Sequence, residues 1–492
     1  MSMERKAFLA IFTLGVVLRA LLIANAPLWY DESFTLVLAR LPFDRMFLTM
    51  AGDVHPPLHY LITWSLFRIP NLAPWFIRLP SLLASILSLI VFWKITDALR
   101  VSLPVRVTAF TLMAILPTQI AYAQEGRMYA LFELVVLTAF WASITSRWGW
   151  FWLSGTAMLY TQNYGMYYAA AIFLAALLHN PRAWKKLIVT SFLIGLAWAP
   201  WMIVTTQQMQ TINGRYWITD NSLNAVLTVF FRLFWLNMLP DQMTMAGLGV
   251  LFVLLIFGTW KMIQHRPNGW AAILTMSFLP ILLAWVTSAL WQPILLYRPL
   301  IASSPFIYLI VAWPAELLVH SDEWKQSQTR RVVLLYLACI LLPLSASGAV
   351  IYYRFIPAMK NEAGITSYKQ AVDYIEKNWR DGDIIYHTNA ATLINVMAQS
   401  DQLTNHLMPE CPSLQKDGGY LTSLSPQTLQ GLNVKVDVLS AIPHKRAWVF
   451  VSRAGGDSAC VREQVNELMR GKLIFVIDEN EYYYRALWLM DK

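Results

Sequence analysis

Apolar residues are gathered into long runs up to about residue 353, where a soluble amphipathic helix would show them only on one face. A helix that crosses a bilayer needs about 20 predominantly apolar residues. Stretches that reach or approach that length are 7–25, 76–96, 107–123, 128–146, 149–161, 165–179, 187–205, 244–262, 271–290, 299–318 and 332–353, with 149–161 the weakest. Between them, residues 26–75 hold two segments with helical apolar spacing, 33–40 and 57–68, that are too short to cross. They predict helices lying in the membrane interface, with Trp64 and Trp75 at headgroup depth. In 206–243 an apolar run, 223–240, is broken by Arg232 and Pro240, which predicts an interfacial or re-entrant helix. Beyond 353 the period changes: helical spacing over 368–379 and 390–399 alternates with strand-like 384–386, 447–452, 473–477 and 482–489. The expected fold is a polytopic α-helical membrane protein of about 11 spans, 1–353, followed by a soluble α/β domain, 354–492.

Composition agrees: 57% of the chain is apolar and 14% charged, against roughly 25% charged in a soluble protein. A soluble enzyme is excluded. The net charge of +9 is uneven, because residues 1–353 hold 13 Asp/Glu against 23 Lys/Arg and residues 354–492 hold 16 against 15. The excess falls in alternate loops: Arg5/Lys6, Lys94/Arg100/Arg106, Arg147, Arg182/Lys185/Lys186, Lys261/Arg266 and Lys325/Arg330/Arg331. The positive-inside rule makes those loops cytoplasmic and places 26–75, 123–129, 206–243, 291–298 and everything after 353 outside. Basic charge therefore reports topology, and nucleic acid is excluded as a partner. All six Lys of residues 1–353 lie on the cytoplasmic side, so the outer basic residues there are Arg, the better anion fork.

The run ending Ala24-Asn25-Ala26 resembles a signal-peptidase site, but its length and the many later spans favour an uncleaved first span. Cys339 falls in a span, while Cys411 and Cys460 fall in the outer domain, where one disulfide and two free thiols are equally open. The chain has no CxxC, HExxH, P-loop or GxGxxG at a strand-to-helix turn, so nucleotide binding and zinc hydrolysis have no support.

Charge retained beside apolar segments is costly and marks functional candidates. The first outer loop reads Trp29-Tyr30-Asp31-Glu32-Ser33-Phe34-Thr35 and then Asp53-Val54-His55-Pro56-Pro57-Leu58-His59-Tyr60. Asp31 also fits an N-cap of the 33–40 helix. The second loop, Gln124-Glu125-Gly126-Arg127-Met128-Tyr129, brings another carboxylate and an Arg to the same face, and Arg78, Arg215 and Arg298 arrive from other outer loops. A single interfacial Arg commonly snorkels; several Arg with a carboxylate pair fit an anionic lipid headgroup held beside a base. Tyr160-Thr161-Gln162-Asn163-Tyr164-Gly165 fits either a sugar contact or an aromatic interface belt.

The Asp31-Glu32 pair, the Asp53-Val54-His55-Pro56-Pro57-Leu58 string and the span opening Ile77-Arg78-Leu79-Pro80 resemble the protein O-mannosyltransferase and aminoarabinose-transferase group of GT-C glycosyltransferases. Gln124 to Tyr129 and Tyr297-Arg298-Pro299 are similar to what the bacterial branch carries in the corresponding loops. The resemblance implies a GT-C-like fold in a bacterial inner membrane, with the N-terminus cytoplasmic, a long first periplasmic loop and a periplasmic C-terminal domain. It implies a polyprenyl-phosphate sugar donor among membrane lipids and a lipid, glycan or protein acceptor. Physical chemistry agrees, since no nucleotide sugar exists outside the cytoplasm. An inverting displacement needs a carboxylate to deprotonate the acceptor hydroxyl and cations to stabilise the departing phosphate. By motif position Asp31 is the base, Glu32 its orienting neighbour and Glu125 the second-loop carboxylate. His55 contacts the donor phosphate or sugar. Arg78, Arg127 and Arg298 form the phosphate clamp, with Tyr129, Arg215 and Tyr297 alongside. Similar enzymes often carry Asp in the second loop and some bind a divalent metal there; Glu125 with His55 alone does not make a metal site, and the metal stays open. A lipid-linked glycan flippase and a glycan ligase or polymerase are the competing readings. Charge at one face instead of the midplane, with no visible inverted repeat, counts against the first. The early position of the large outer loop counts against the second.

Overall fold

The computed structural model describes residues 2–212, 222–236, 241–318, 349–350, 352–353, 365–409, 415–416, 419–420, 424–437, 446–454, 471–479 and 483–490. In chain order its helices are α1 (Met3–Ala20), α2 (Tyr30–Arg40), α3 (Phe43–Ala51), α4 (Leu58–Leu66), α5 (Leu79–Ala98), α6 (Leu103–Ile115), α7 (Pro117–Ala123), α8 (Tyr129–Ile144) and α9 (Trp148–Thr161). There follow α10 (Gly165–His179), α11 (Trp184–Ile212), α12 (Leu223–Trp235), α13 (Asp241–His265), α14 (Trp270–Leu290), α15 (Ser304–Ala312), α16 (Ile365–Asn378), α17 (Ala390–Gln399) and α18 (Pro426–Leu432). The chain divides into two compact units: 1–23, 55–59 and 78–354 form one, and 24–54, 60–77 and 355–492 the other.

The first unit is a helical bundle in which α5, α8 and α9 pack in series and α10 packs on α14. Its helices are apolar all round, as buried or lipid-facing helices are. On α11 the side chains Ile188, Phe192, Leu196 and Ile203 are exposed on one stripe, a face suited to lipid. Among the described residues four helices are long and apolar enough to cross a membrane, or five if α6 and α7 count as one bent span. Helices α8 and α10, with 16 and 15 residues, are apolar but shorter. Loops expected on one side gather at one end of this unit: Arg106 Nη1 lies 2.7 Å from Glu4 and 3.4 Å from Asp97, and Leu99 and His179 flank Gly269. Loops expected on the other side also meet in pairs: the Tyr164 hydroxyl donates to the Ile294 carbonyl, and Ser81 Oγ, near the start of α5, donates to the Arg127 carbonyl at 2.8 Å.

A sharp break joins α6 to α7, which meet at 52°. Pro117 has no N–H to return to the Met113 carbonyl one turn back, so the last carbonyls of α6 lose their helical partners. Arg19 of α1, fully buried, donates from Nη2 to the Met113 carbonyl at 2.7 Å and from Nη1 to the Ala114 carbonyl at 2.9 Å, while its Nε reaches Ser85 Oγ at 2.8 Å. In return, Gln124 at the end of α7 donates from Nε2 to the carbonyls of Leu21 at 2.7 Å and Arg19 at 3.0 Å, which close α1.

The second unit is built on a six-stranded sheet, ordered β5-β2-β1-β6-β8-β7, from β1 (Ile384–His387), β2 (Asn405–Leu407), β5 (Lys435–Val436), β6 (Ala447–Ala454), β7 (Lys472–Glu479) and β8 (Tyr483–Met490). A separate two-stranded ribbon pairs β3 (Gln415–Lys416) with β4 (Gly419–Tyr420). Strands β5, β2, β1 and β6 run parallel and β8 and β7 close the sheet antiparallel. Alternation sets its faces: Ile385, Trp448 and Phe450 pack on Tyr368, Val372 and Ile375 of α16, while Tyr386, Val449 and Val451 pack with Met408 on the other side. The helices of the first loop belong to this unit. Helix α2 packs on α17, with Arg40 Nη1 donating to the Ala398 carbonyl at 2.9 Å, and α3 packs on α18, with Arg45 Nε donating to the Gly431 carbonyl at 2.9 Å. That approach requires glycine, because a Cβ at 431 would lie 2.1 Å from Thr49 Oγ1.

Replacing Arg19 by Leu should leave the Met113 and Ala114 carbonyls without donors, at a cost of about 1–3 kcal/mol. Thermal unfolding of the detergent-solubilised protein should show a midpoint several degrees lower; an unchanged midpoint would show that water or lipid satisfies the break.

Candidate active site

Asp31 and Glu32 are the second and third residues of α2, which starts at Tyr30, three residues earlier than its apolar spacing predicts. Trp29 is the N-cap, so Asp31 is not. The buried Glu32 carboxylate accepts from the Trp29 N–H at 3.3 Å and closes the first turn. The Asp31 carbonyl accepts from Thr35 Oγ1 at 2.9 Å, and its carboxylate stands on a partly exposed face. This gives the pair different tasks: Glu32 fixes the turn that presents Asp31.

His59 is the second residue of α4, and His55 sits on the segment between α3 and α4. Pro56 and Pro57 stiffen it, and the Tyr60 hydroxyl donates to Asp53 Oδ2 at 2.9 Å across its base. In the helical unit, Arg127 Nη2 lies 3.5 Å from both ring nitrogens of His55. Equal distances place the guanidinium against the ring and not on one lone pair. His59 is fully buried; burial first, then the charges of Arg127 and His55, push its pKa down to about 3. His59 is thus a neutral imidazole beneath the Arg127–His55 pair.

The loop after α7 makes a tight turn in which the Arg127 N–H donates to the Glu125 carbonyl at 2.8 Å. Its residues also meet the chain entering α15. Burial opposes the positive charge of Arg298, but Tyr129, Tyr122, Glu125 and Tyr297 around it outweigh that and hold its pKa above the ordinary arginine value. The Tyr122 and Tyr129 rings meet edge to face at 5.2 Å. Arg232, in the last turn of α12, lies over the Tyr297 ring at 4.9 Å, and its carbonyl accepts from Thr118 Oγ1 at 2.7 Å. Arg78 is fully buried, with Nη1 donating to the Ile23 carbonyl at 2.7 Å. Arg215 lies outside the described residues, as do Cys411 and Cys460.

The helical unit therefore brings Glu125, Tyr129, Tyr297 and Arg298 together beside the loop after α7 and sets Arg127 of that loop against His55, so that cations, hydroxyls and a carboxylate lie along one turn. His59, Tyr122 and Arg232 complete it and were not singled out by sequence. The lone Arg232 inside an apolar run was the signal for one of them. No group of three or more His, Cys, Asp or Glu able to hold a metal occurs among the described residues. The donor set does not fit a resident divalent ion.

Solved structures carry the same architecture. ArnT from Cupriavidus metallidurans in the apo state superposes with a TM-score of 0.61 at 13% identity, over 98% of each chain. The same protein bound to undecaprenyl phosphate gives 0.58 at 12% identity, over 98% of this chain and 97% of that one. The archaeal oligosaccharyltransferase AglB from Archaeoglobus fulgidus, in complex with an inhibitory peptide and a dolichol-phosphate, gives 0.53 at 11% identity, over 91% of this chain and 69% of AglB.

The fold is that of ArnT and AglB.

No protein-family profile and no curated protein sequence matches the chain. At such identities the likeness is one of fold, and the chemistry rests on the residues.

The depressed His59 pKa has a consequence for stability. Its folded value of about 3 lies below the ordinary 6.5, so the folded state binds fewer protons than the unfolded state between them. The stability contributed by neutral His59 is complete above pH 6.5 and is lost as pH falls toward 3, with a slope of up to about 1.4 kcal/mol per pH unit. Melting curves from pH 7 to 4 should therefore show a steeper loss in the native protein than in His59→Gln. Parallel acid limbs would remove His59 as their source.

Proposed function

We propose that the protein is a membrane glycosyltransferase that moves a sugar from a polyprenyl-phosphate carrier to an acceptor hydroxyl on the periplasmic side of a bacterial inner membrane. The observation that carries this reading is Arg298 held among Tyr122, Tyr129, Tyr297 and Glu125, with Arg127 two residues from Glu125 in the turn after α7. A cation set of this kind suits a phosphate that gains charge as it leaves. The GT-C fold, found in ArnT bound to undecaprenyl phosphate and in AglB with a dolichol-phosphate, supports a lipid-phosphate donor.

In the proposed step Asp31 takes the acceptor proton and the acceptor oxygen attacks the anomeric carbon from the face opposite the leaving group. The bond from that carbon to the phosphate oxygen breaks with its electron pair, releasing polyprenyl phosphate and inverting the sugar. Arg127 and Arg298 stabilise the departing oxyanion, a task worth several kcal/mol in a water-poor site. Glu125 and the tyrosine hydroxyls orient Arg298 and contact the sugar. His55 sets the rotamer of Arg127, Arg78 positions the chain after α1, Glu32 fixes the turn that carries Asp31, and Arg215 adds charge from its outer loop. No step passes through a metal. We further propose about eleven spans with the N-terminus cytoplasmic, a catalytic module over 1–353 and a periplasmic domain over 354–492.

Asp31→Asn should lower sugar transfer in isolated membranes by about 10²-fold or more with expression unchanged; retention of full transfer would remove Asp31 as the base. Arg298→Ala should act on the donor, raising its KM or lowering kcat without altering acceptor KM, and an effect confined to acceptor KM would refute the clamp. A reporter enzyme active only outside the cytoplasm, fused after residue 400, should be active; silence there with activity in a cytoplasmic reporter would overturn the orientation.

A further inference from the structure

A second polar cavity lies within the sheet-containing unit, remote in sequence from the Arg127 and Arg298 loops. It has a volume of about 530 Å³ and is bounded by the α2–α3 corner, by the turn from α17 into β2, and by the turn from α18 into β5. A cavity of this size is within the range of small-molecule sites, about 300–1,000 Å³, and is large enough for a hexose with a charged substituent.

Its lining is unusually cationic for a domain whose net charge is near zero. Arg40, Arg45 and Lys435 stand on its wall against the single carboxylate of Asp401. Both arginines are held in place from one side only: Arg40 Nη1 is bound to the Ala398 carbonyl and Arg45 Nε to the Gly431 carbonyl. Each guanidinium carries five N–H donors, so these backbone bonds anchor the forks and leave further donors for a ligand. Each arginine is thus tethered at one nitrogen, Arg40 from an exposed and Arg45 from a half-buried position, which lowers the cost of ordering them on binding.

The fourth polar wall is His406. It is 8% exposed, its Nδ1 pairs with Asp437 Oδ2, and its ring meets Tyr386 edge to face. Asp437 lies beyond the cavity and is engaged with His406, so it does not cancel the arginines directly. Among the described residues Nε2 of His406 has no hydrogen-bond partner, and the pairing at Nδ1 fixes the ring orientation. Ser400, Thr404 and Asn433 add hydroxyl and amide groups to the rim. Cationic forks for one anionic group, with neutral hydrogen-bonding groups for several hydroxyls, make up the chemistry of a charged sugar.

We propose that this cavity binds an anionic saccharide, a sugar bearing a phosphate or a carboxylate. Under the transferase reading it would recognise a charged residue of the acceptor; the binding itself does not depend on that reading, because it is measured without donor and without transfer.

The test is calorimetric titration of the full-length protein in detergent with four probes: glucose 6-phosphate, glucuronic acid, glucose and inorganic phosphate. One or both charged sugars should bind, with glucose at least about tenfold weaker for want of the charge-assisted hydrogen bonds and inorganic phosphate at least about tenfold weaker for want of the hydrogen bonds to the sugar hydroxyls. Binding of glucose 6-phosphate alone assigns the anion as phosphate, and binding of glucuronic acid alone assigns it as carboxylate. Lys435→Gln, at an exposed strand start, should weaken the bound sugar several-fold without changing the melting midpoint, and Arg45→Gln should weaken it further. Absence of binding by both charged sugars, equal binding of glucose, equal binding of inorganic phosphate, or affinity unmoved by Lys435→Gln and Arg45→Gln in folded protein would each overturn the proposal. Loss of transfer in Asp31→Asn with sugar binding intact, or the reverse, separates this site from the transfer chemistry.

Discussion

Backbone groups inside a membrane unit must find partners within the protein, because the hydrocarbon around it offers none. The break before Pro117 puts this constraint at the centre of the helical unit. The carbonyls freed at the end of α6 are taken by Arg19 from α1, and the carbonyls freed at the end of α1 are taken by Gln124 from α7. Tyr352 donates to the Gln124 oxygen at 3.2 Å and Tyr353 to the Leu18 carbonyl, so the same joint also receives the chain near residue 353. The exchange is reciprocal: each helix end is satisfied by a side chain that the other helix fixes. Gln124 is also the first residue of the loop that carries Glu125, Arg127 and Tyr129. The position of the candidate chemistry is thus set by the need to close two helix ends.

That dependence explains how cations are retained in the surroundings of Arg298. Isolated charge so close to apolar spans would be expelled or neutralised. Here the tyrosine oxygens and Glu125 hold Arg298 charged, while Arg232 engages the Tyr297 ring from a different helix. Arg127 faces His55, and His59 beneath it is kept neutral. The result is a set of fixed dipoles and cations whose orientation energy is supplied by folding, which is the condition under which such groups stabilise a leaving anion more than water does.

Much of this was legible from the chain. Among the described residues the apolar runs from 7–25 to 271–290 became helices near their expected limits, with 107–123 broken at Pro117 and 299–318 only partly α-helical, while 332–348 lies outside the described residues; in the C-terminal region the segments 368–379, 384–386, 390–399, 447–452, 473–477 and 482–489 became α16, β1, α17, β6, β7 and β8. These are periodic signals that each segment carries by itself. Strands β2 and β5, three and two residues long, have no room for a period and are specified by their neighbours in the sheet. Single-residue roles were the hardest to read. Arg19 was not singled out by the pattern of the first apolar run, yet it is the partner of a break almost a hundred residues away. Glu32 reads as the orienting neighbour of Asp31, and its carboxylate also closes the first turn of α2, which no periodic signal announces. The likeness of Asp31, His55, Arg127 and Arg298 to a family pattern told where to look but not that His59 is buried near Arg127 and His55 or that Arg232 lies over Tyr297.

The packing of the first loop was also beyond the periodic signal, and for a physical reason. Amphipathic α2 and α3 have an apolar face that suits a bilayer interface and a protein surface equally well. What distinguishes the two is complementarity at particular residues: Gly431 where Thr49 approaches, and the Ala398 and Gly431 carbonyls where Arg40 and Arg45 arrive. Once α2 and α3 are bound to α17 and α18, the turn bearing Asp31 inherits its rigidity from the folded sheet domain and not from lipid. The sheet-containing unit therefore has a structural task independent of any ligand it holds: it supplies the scaffold for the loop that carries the proposed base.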